Sequence, residues 1–310
     1  MTGYVLRRLL WMLPVLWVVT IITFSLMHAV KGGPFEAGET KGSVAARDAL
    51  KAKYHLDEPA YVQYGYYLRG LVTGDLGPDL QRPGTTVNDI LKHSYRPTVE
   101  LGILTTIYAV VLGVVLGALA AINRNSIVDY ASVAFATIGA AMPSFVLGIM
   151  LVVLFAVKFK IFPATGWADG MTDWKPVVLP VISLGSLPAS YIARITRASM
   201  LDVMNQDYVR TARAKGLRDR VIVVRHISRN AMIPVLTSIG PIAAGLLTGS
   251  FIVEYFFAIP GIGRSYVQAI LGRDYPMIMA TTLLYAVVIM FANLMVDVMY
   301  AVVDPRIRYA

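Results

Sequence analysis

The residues that could do chemistry in this chain are few, and their spacing excludes several classes of site. The sequence has no cysteine, so disulfides and thiolate-bound metals are excluded. Its four histidines, His28, His55, His93 and His226, form no paired-ligand spacing for zinc. No lysine is followed by serine or threonine, so the chain has no phosphate-binding loop for ATP. We therefore expect no catalytic residue, no metal site and no cofactor site.

One segment combines positive charge with signals for helix ends. Residues 207–236 lie between two long apolar stretches. A first helix runs towards Gly216, because glycine is favoured just past a helix end. Asn205 or Asp207 is expected to cap this helix, and Asp219 a second one that continues into the next apolar stretch. The pattern predicts a basic helix–glycine–helix.

Two interpretations of this segment remain open on physical grounds. A basic loop that determines topology is attracted to anionic lipid by about 1 kcal/mol per Lys or Arg. A docking surface also explains the small residues Ala212 and Ala214, which leave room for a partner, and apolar anchors such as Val209. The candidate docking residues are Tyr208, Val209, Arg210, Thr211, Ala212, Arg213, Ala214, Lys215, Gly216, Leu217 and His226.

The elements that position this segment belong to a membrane protein. Hydrophobic residues make up 56% of the 310 residues and charged residues 15%, against about 25% charged in soluble domains. An all-α protein with six transmembrane helices is predicted, the third interrupted at Pro143. The predicted spans are Leu9–Val30, Leu101–Ile122, Ala131–Val157, Val177–Ala193, Ile233–Val253 and Ile278–Val303. A cleaved signal peptide is the alternative for the first.

Charge placement predicts the orientation of these spans. Nine of the 28 Lys and Arg residues lie from Arg194 to Arg229, and Arg7 and Arg8 precede the first span. Short cytoplasmic loops carry an excess of Lys and Arg. Both termini are therefore predicted to be cytoplasmic.

The predicted organisation has three parts. Residues 1–30 form the first helix, 31–99 a folded periplasmic segment, and 100–310 a core that contains a cytoplasmic loop at 194–232. Short helices are expected at Val44–Tyr54 and Tyr61–Leu71. Five tyrosines form a small core or lie on the membrane surface, with contact to a substrate as the alternative: Tyr54, Tyr61, Tyr64, Tyr66 and Tyr67.

The spans themselves carry no charged residue near their centres, unlike most ion-coupled transporters. Asp297, near the inner end of the last span, is expected to have a hydrogen-bonded structural role. Glycine pairs predict close helix contacts, Gly113 with Gly117 and Gly245 with Gly249.

The basic segment resembles the cytoplasmic coupling loop of ABC-importer permeases of the dipeptide/oligopeptide/nickel family. The general motif begins Glu-Ala-Ala and has a glycine four residues later; here Arg210, Thr211 and Ala212 precede Gly216. Ser228 and Arg229 replace the Leu and Pro at the motif's end, as in the peptide branch.

Other stretches extend the resemblance over nearly the whole chain. They are YVLRRLLWMLPVL at the start, YHLDEPAYVQY and GDLGPDL before the second span, IPGIGR and RDYP after the fifth, and VDVMYAVVDPRIRY near the end. The last is most similar to the B-type subunits of oligopeptide permeases.

This resemblance implies a type I ABC-importer permease fold in a prokaryotic inner membrane and a transport subunit that is not itself an enzyme. The implied partners are a C-type second permease, two ATPase subunits that bind the ATP, and a periplasmic or lipid-anchored peptide-binding protein. Dipeptides, nickel or another small solute are alternative cargoes, and a stand-alone secondary transporter is a distant one. The turn after the fifth span is either a structural cap or a gate or docking site at Pro260, Gly261, Gly263 and Tyr266.

Overall fold

The computed structural model describes residues 2–29, 57–82, 84–167 and 173–303, and in these parts the regular elements are helices. They are α1 (Thr2–Ala29), α2 (Ala60–Thr73), α3 (Val87–Ile122), α4 (Ile127–Ala141), α5 (Ser144–Leu151), α6 (Lys175–Met204), α7 (Asp207–Ala214), α8 (Asp219–Val221), α9 (Ser228–Leu247), α10 (Phe251–Phe256), α11 (Ile262–Gly272) and α12 (Tyr275–Val303). π-helical turns extend α5 over Val152–Lys158 and join α8 to α9 over Ile222–Ile227.

Five helical segments in the described residues are long and apolar enough to cross a membrane. They are Val5–Ala29, Val87–Ile122, Lys175–Met204, Asp219–Leu247 and Tyr275–Val298. Ile127–Ala141 and Ser144–Lys158 are together long and apolar enough for a sixth, and they bend by 110° as a broken span or a re-entrant loop does. The bend lies at Pro143, where the sequence predicted an interruption, because proline removes a helix hydrogen bond.

Three helices end at residues that differ from the ends of the predicted spans. Helix α3 begins at Val87 rather than near Leu101, and α9 ends at Leu247, short of the predicted Val253. Helix α6 continues through Met204, past the predicted end at Ala193. Apolar runs mark the part of a helix in lipid, whereas a helix of 36 residues is about 54 Å long and extends well beyond a hydrocarbon core of about 30 Å.

Glycines bring α3 and α6 into direct contact at the centre of the bundle. A Cβ on Gly113 would lie 2.7 Å from the carbonyl oxygen of Ala189, and one on Gly117 only 2.6 Å from Cβ of Thr196. Both distances are shorter than van der Waals contact, so this predicted close approach is confirmed. In the second predicted pair, Gly245 with Gly249, a Cβ added to Gly245 would have no atom within 4 Å.

Helix α3 connects two structurally different ends of the bundle. Near its start Thr98 bonds to Ile262 at the beginning of α11, and near its end Ala121 packs with Val209 of α7. These contacts are about 23 residues apart, or about 35 Å along the helix. We refer to them as the α11 end and the α7 end.

At the α11 end, α2 matches the helix predicted for Tyr61–Leu71, whereas Val44–Tyr54 lies outside the described residues. Tyr64 bonds to Thr20 of α1 at 2.8 Å and stacks near Tyr67, as expected of a small aromatic core. The remaining tyrosines differ: Tyr61 and Tyr66 are exposed, and Tyr54 lies outside the described residues.

An ion pair holds the N-terminal part of α1 to the C-terminal part of α12. Asp297 of α12 forms an ion pair with Arg8 of α1. This contact agrees with the structural role expected for Asp297.

Candidate functional site

Helix α7 is anchored to the bundle by its own apolar face. Val209 is fully buried and Ala212 is 5% exposed, in a cluster with Met200 of α6 and Ala121 of α3. Ile227, in the π-helical turn before α9, completes this contact. The prediction that Val209 and Ala212 face a partner was therefore wrong. In this eight-residue helix, the two residues that face the bundle are the same ones that the sequence suggested for contact with a partner.

The opposite face of α7 and the turn after it point away from the bundle. Tyr208 is 41% exposed and Leu217 40%, and the Tyr208 hydroxyl accepts a hydrogen bond from Asn230 at 2.8 Å. His226, in the π-helical turn, is half-buried. The exposed predicted docking residues are Tyr208, Arg210, Thr211, Arg213, Ala214, Lys215, Gly216 and Leu217. We call these eight residues the α7 face; three of them are cationic.

Gly216 ends α7 in the left-handed conformation that the sequence predicted. Its φ is +74°, which other residues rarely adopt, and its N–H donates to the carbonyl of Arg213 at 2.9 Å. The N–H of Leu217 then reaches back to the carbonyl of Ala212 at 3.4 Å. These bonds fix the angle at which the chain leaves α7.

The helix caps differ from those predicted. Gln206 and Arg218 occupy the N-cap positions of α7 and α8, and neither makes a side-chain capping bond. Asp207 and Asp219 are instead the first residues of these helices. A carboxylate in the first turn still interacts favourably with the helix dipole, so Asp207 and Asp219 stabilise these helices without capping them.

An ion pair that was not predicted holds the broken span against α6. Arg197 Nε donates to Asp129 Oδ1 at 2.7 Å, and its Nη2 donates to Oδ2 at 2.8 Å. The Asn125 N–H also donates to Asp129. Such two-point contacts fix both position and orientation. The fourth span was predicted to end at Ala193, which left Arg197 in a loop and hid the pair.

The α11 end is organised around a buried carboxylate, Glu254 of α10. Its Oε2 accepts from the Gly263 N–H at 2.8 Å and from the Thr98 hydroxyl at 3.1 Å, while Oε1 accepts from the Ser250 N–H at 3.3 Å. Glu254 is completely buried, and burial raises its pKa to about 7 despite these donors. One side chain thus joins α3, α10 and α11. Sequence reasoning missed it because it looked only for charges within the spans.

The predicted gate residues serve this cap in different ways. Pro260 is exposed, whereas Gly261 and Gly263 are buried against Glu254. A Cβ on Gly261 would lie 2.5 Å from the Thr98 hydroxyl oxygen. Tyr266 packs on Phe251 with ring centroids 4.9 Å apart. These contacts favour the structural cap over the gate, and a gating role for these residues stays a prediction.

A second carboxylate joins the segment before α3 to the start of α12. Asp274 Oδ2 accepts from the Leu80 N–H at 2.8 Å and Oδ1 from the Met277 N–H at 3.1 Å. Burial, followed by the nearby charge of Asp79, raises the pKa of Asp274 to about 6. The GDLGPDL stretch is thereby fixed at the α11 end.

Comparison with known families gives a match over most of the bundle. Residues 113–309 match the family described as binding-protein-dependent transport system inner membrane component. This range includes α6, the α7 face, and both α10 and α11.

Individual proteins are similar over the full chain. The Bacillus subtilis dipeptide transport system permease protein DppB is 42% identical over 99% of this chain and 98% of its own length. The oligopeptide transport system permease proteins OppB of Haemophilus influenzae and Escherichia coli are 40% and 39% identical, over 100% of both chains in each case.

Two solved structures share the arrangement of helices. The inward-facing methionine ABC transporter MetNI has a TM-score of 0.56 at 17% identity, over 69% of this chain and 96% of the matched one. A crystal structure of an amino acid ABC transporter with histidines has a TM-score of 0.53 at 15% identity, over 68% and 93%. At these identities the likeness shows the fold alone.

Proposed function

The chain belongs to the family of binding-protein-dependent transport system inner membrane components, and we propose that it is one of two permease subunits of an ATP-driven importer of oligopeptides. The observation that carries this proposal is the α7 face, an exposed basic surface on a helix that is otherwise packed into the bundle. The names of the similar dipeptide and oligopeptide permeases support peptides as the cargo.

The α7 face suits docking in a groove of an ATPase subunit. A short helix presents side chains at fixed spacing, and the helix-in-groove mode needs one face free and the other held. Tyr208 and Leu217 supply apolar contact, while Arg210, Arg213 and Lys215 supply charge. The chain itself has no ATP-binding motif, so hydrolysis takes place on the partner.

The packing of α7 supplies a path for the movement. Val209 and Ala212 contact residues of α3, α6 and the segment leading into α9. Close-packed contacts of this kind shift as a unit, so displacement of α7 by closing ATPases displaces three helices together. The cavity between two such permeases then opens alternately to the two sides of the membrane.

The proposed complex contains a C-type second permease, two ATPases and a periplasmic or lipid-anchored peptide-binding protein. The chain lies in the inner membrane with both termini cytoplasmic, which puts the α7 end in the cytoplasm with the ATPases and the α11 end with the binding protein. Basic residues clustered at the α7 end support this orientation.

Purification of the tagged chain from its native membrane in mild detergent tests the proposal. Recovery of a second six-span permease and of Walker-type ATPases is the expected result. Reconstituted vesicles should then take up trialanine only with ATP and the binding protein, and competition by dialanine and by longer peptides would establish the preferred length. Recovery of the chain alone, even after crosslinking, would contradict the proposal.

A further inference from the structure

One concave surface of the bundle lies apart from the contacts at its two ends. It is a groove of about 660 Å³ between the α4–α5 bend, α6 and α9. Met142 and Pro143 of the bend line it on one side, Tyr191 and Arg194 of α6 on another, and Pro241 of α9 on the third. The volume lies in the range of pockets that hold small organic ligands, about 300–1,000 Å³.

Arg194 is the charged residue of this groove. It lies on the exposed side of α6, and among the described residues its guanidinium has no hydrogen bond and no ion pair. Arg197, one turn further along, is by contrast held by Asp129. Charged side chains within membrane helices face water-filled cavities or partners, because lipid solvates them poorly. The groove therefore faces water or a polar occupant.

The position of Arg194 along the bundle follows from the contacts of its neighbours. Gly113 of α3 packs against Ile192 and Gly117 against Thr196, so Arg194 is level with the α3 residues between these glycines. Helix α6 continues to Met204, about 15 Å further. Arg194 is therefore inside the long apolar helical segment Lys175–Met204 and not at its end.

The break between α4 and α5 is a second, independent observation about this groove. Met142 is in an extended conformation, and Pro143 has no N–H to donate to the last turn of α4. Non-helical backbone at membrane depth is tolerated where protein covers it or where it lines a water-filled cavity. Pro143 is exposed and lines the groove, so the described part of this chain does not cover the break.

We propose that this groove is the chain's wall of the cargo path and that Arg194 binds the carboxylate of a peptide in transit. The inference rests on the proposed import function and assigns residues to its path. A guanidinium binds a carboxylate through two parallel hydrogen bonds. Tyr191 beside it offers a hydroxyl and an aromatic ring. A peptide carries such a charged end together with further hydrogen-bonding groups.

Cysteine labelling of the assembled importer tests whether the groove holds water. The chain has no cysteine, so each replacement is the only thiol in this subunit, and the unsubstituted complex gives the background from its partners. Tyr191→Cys and Arg194→Cys would be treated with a charged, membrane-impermeant thiosulfonate. Val115→Cys is the matched control, because Val115 is exposed on α3 at the same depth but outside the groove. Faster reaction of both groove variants than of the control is expected, with slowing when the binding protein delivers trialanine.

Uptake measurements test the role of Arg194 itself. Arg194→Gln should lower the initial rate of trialanine uptake about tenfold, the scale of one lost hydrogen bond to a charged group. Arg194→Lys keeps the charge but not the two-point contact, so its rate should lie between those of the wild type and Arg194→Gln. Co-purification of the ATPases and their ATP hydrolysis should stay at the wild-type level, which a purely structural role for Arg194 does not predict.

The outcomes separate this inference from the proposed function. If the wild-type complex assembles and imports trialanine, but Tyr191→Cys reacts no faster than Val115→Cys, the groove is closed by lipid or by the second permease. Wild-type uptake by Arg194→Gln would likewise overturn the assignment. Because Tyr191→Cys leaves Arg194 in place, the labelling result does not depend on whether the arginine variants fold. Absence of ATPases from the wild-type complex would instead defeat the import function.

Discussion

Glu254 shows how a single buried side chain defines one end of this bundle. It accepts hydrogen bonds from α3, α10 and α11, and the glycines beside it leave no room for another group. Its burial is costly for the charged form, which is why the pKa rises from 4.5 to about 7. The α11 end should therefore depend on pH.

The sign of that dependence follows from the direction of the shift. Between pH 4.5 and about 7 the unfolded segment has lost the Glu254 proton while the folded one keeps it. Stability therefore falls as pH rises through this window and is level above it. Between pH 5.5 and 8 the change is about 2 kcal/mol, or roughly thirtyfold in the local opening equilibrium.

Hydrogen exchange of residues 250–272 in the purified importer, corrected for intrinsic rates, measures this effect. Opening should be more frequent at pH 8 than at pH 5.5. Glu254→Gln cannot ionise, so the contribution of residue 254 to the pH dependence of opening disappears. The contribution of Asp274, whose pKa is also raised, remains. Equal pH dependence in wild type and Glu254→Gln would show that Glu254 stays charged throughout.

Two neighbouring alanines on α7 provide a matched pair at the residue scale. Ala212 is buried in the bundle, whereas Ala214 is exposed on the α7 face. Ala212→Glu puts a carboxylate into an apolar contact and should destabilise the chain by about 3 kcal/mol or more, lowering its yield in the membrane. Ala214→Glu should leave the yield unchanged and weaken ATPase binding.

Yield by immunoblot and ATPase retention on a tagged complex distinguish the two effects. If Ala212→Glu accumulates normally and loses only the ATPase, then Ala212 belongs to the docking surface after all, and α7 turns a different face to the bundle.

Gly216 matters at the scale of the element, because it sets the path of the chain out of α7. Proline fixes φ near −65° and cannot reproduce the +74° of Gly216. Gly216→Pro should therefore displace α8 relative to α7 and allow ATP hydrolysis without uptake. Gly216→Asn is the control, since asparagine tolerates the left-handed conformation. The ratio of peptide imported to ATP hydrolysed should fall for proline and change little for asparagine.

The Asp129–Arg197 ion pair fixes the position of α4 relative to α6. Asp129 is almost completely buried, so removing only one partner leaves a poorly solvated charge, a change that costs about 3–5 kcal/mol in fully buried pairs. Asp129→Asn and Arg197→Gln should each lower the thermal midpoint of the complex, and the double variant should lower it by less than the sum. Strict additivity would mean that the pair contributes nothing to holding the broken span.

Physical reasons explain which features could be predicted from the sequence and which could not. Apolar runs and Pro143 indicated the spans and the break, since lipid solvation and a missing N–H act locally. Gly216 was predictable for the same reason. The inward face of α7, the Glu254 contacts and the Asp129–Arg197 pair depend on residues distant in the sequence, and no local pattern contains them.

At the scale of the whole molecule, the chain is an importer permease subunit and not an enzyme, with the type I fold that the sequence predicted. One end presents a basic face on an anchored helix, and the other is locked by buried carboxylates. Between them α3 and α6 are in contact through Gly113 and Gly117.

Crosslinking from the α7 face tests the central claim most directly. In the assembled importer, Ala214→Cys with a short bifunctional reagent should form a product with an ATPase subunit, and its yield should change between the nucleotide-free and ATP-bound states. Val115→Cys, on the outside of α3, should form none. An Ala214→Cys chain that imports peptide yet never crosslinks to the ATPase in either state would contradict the account.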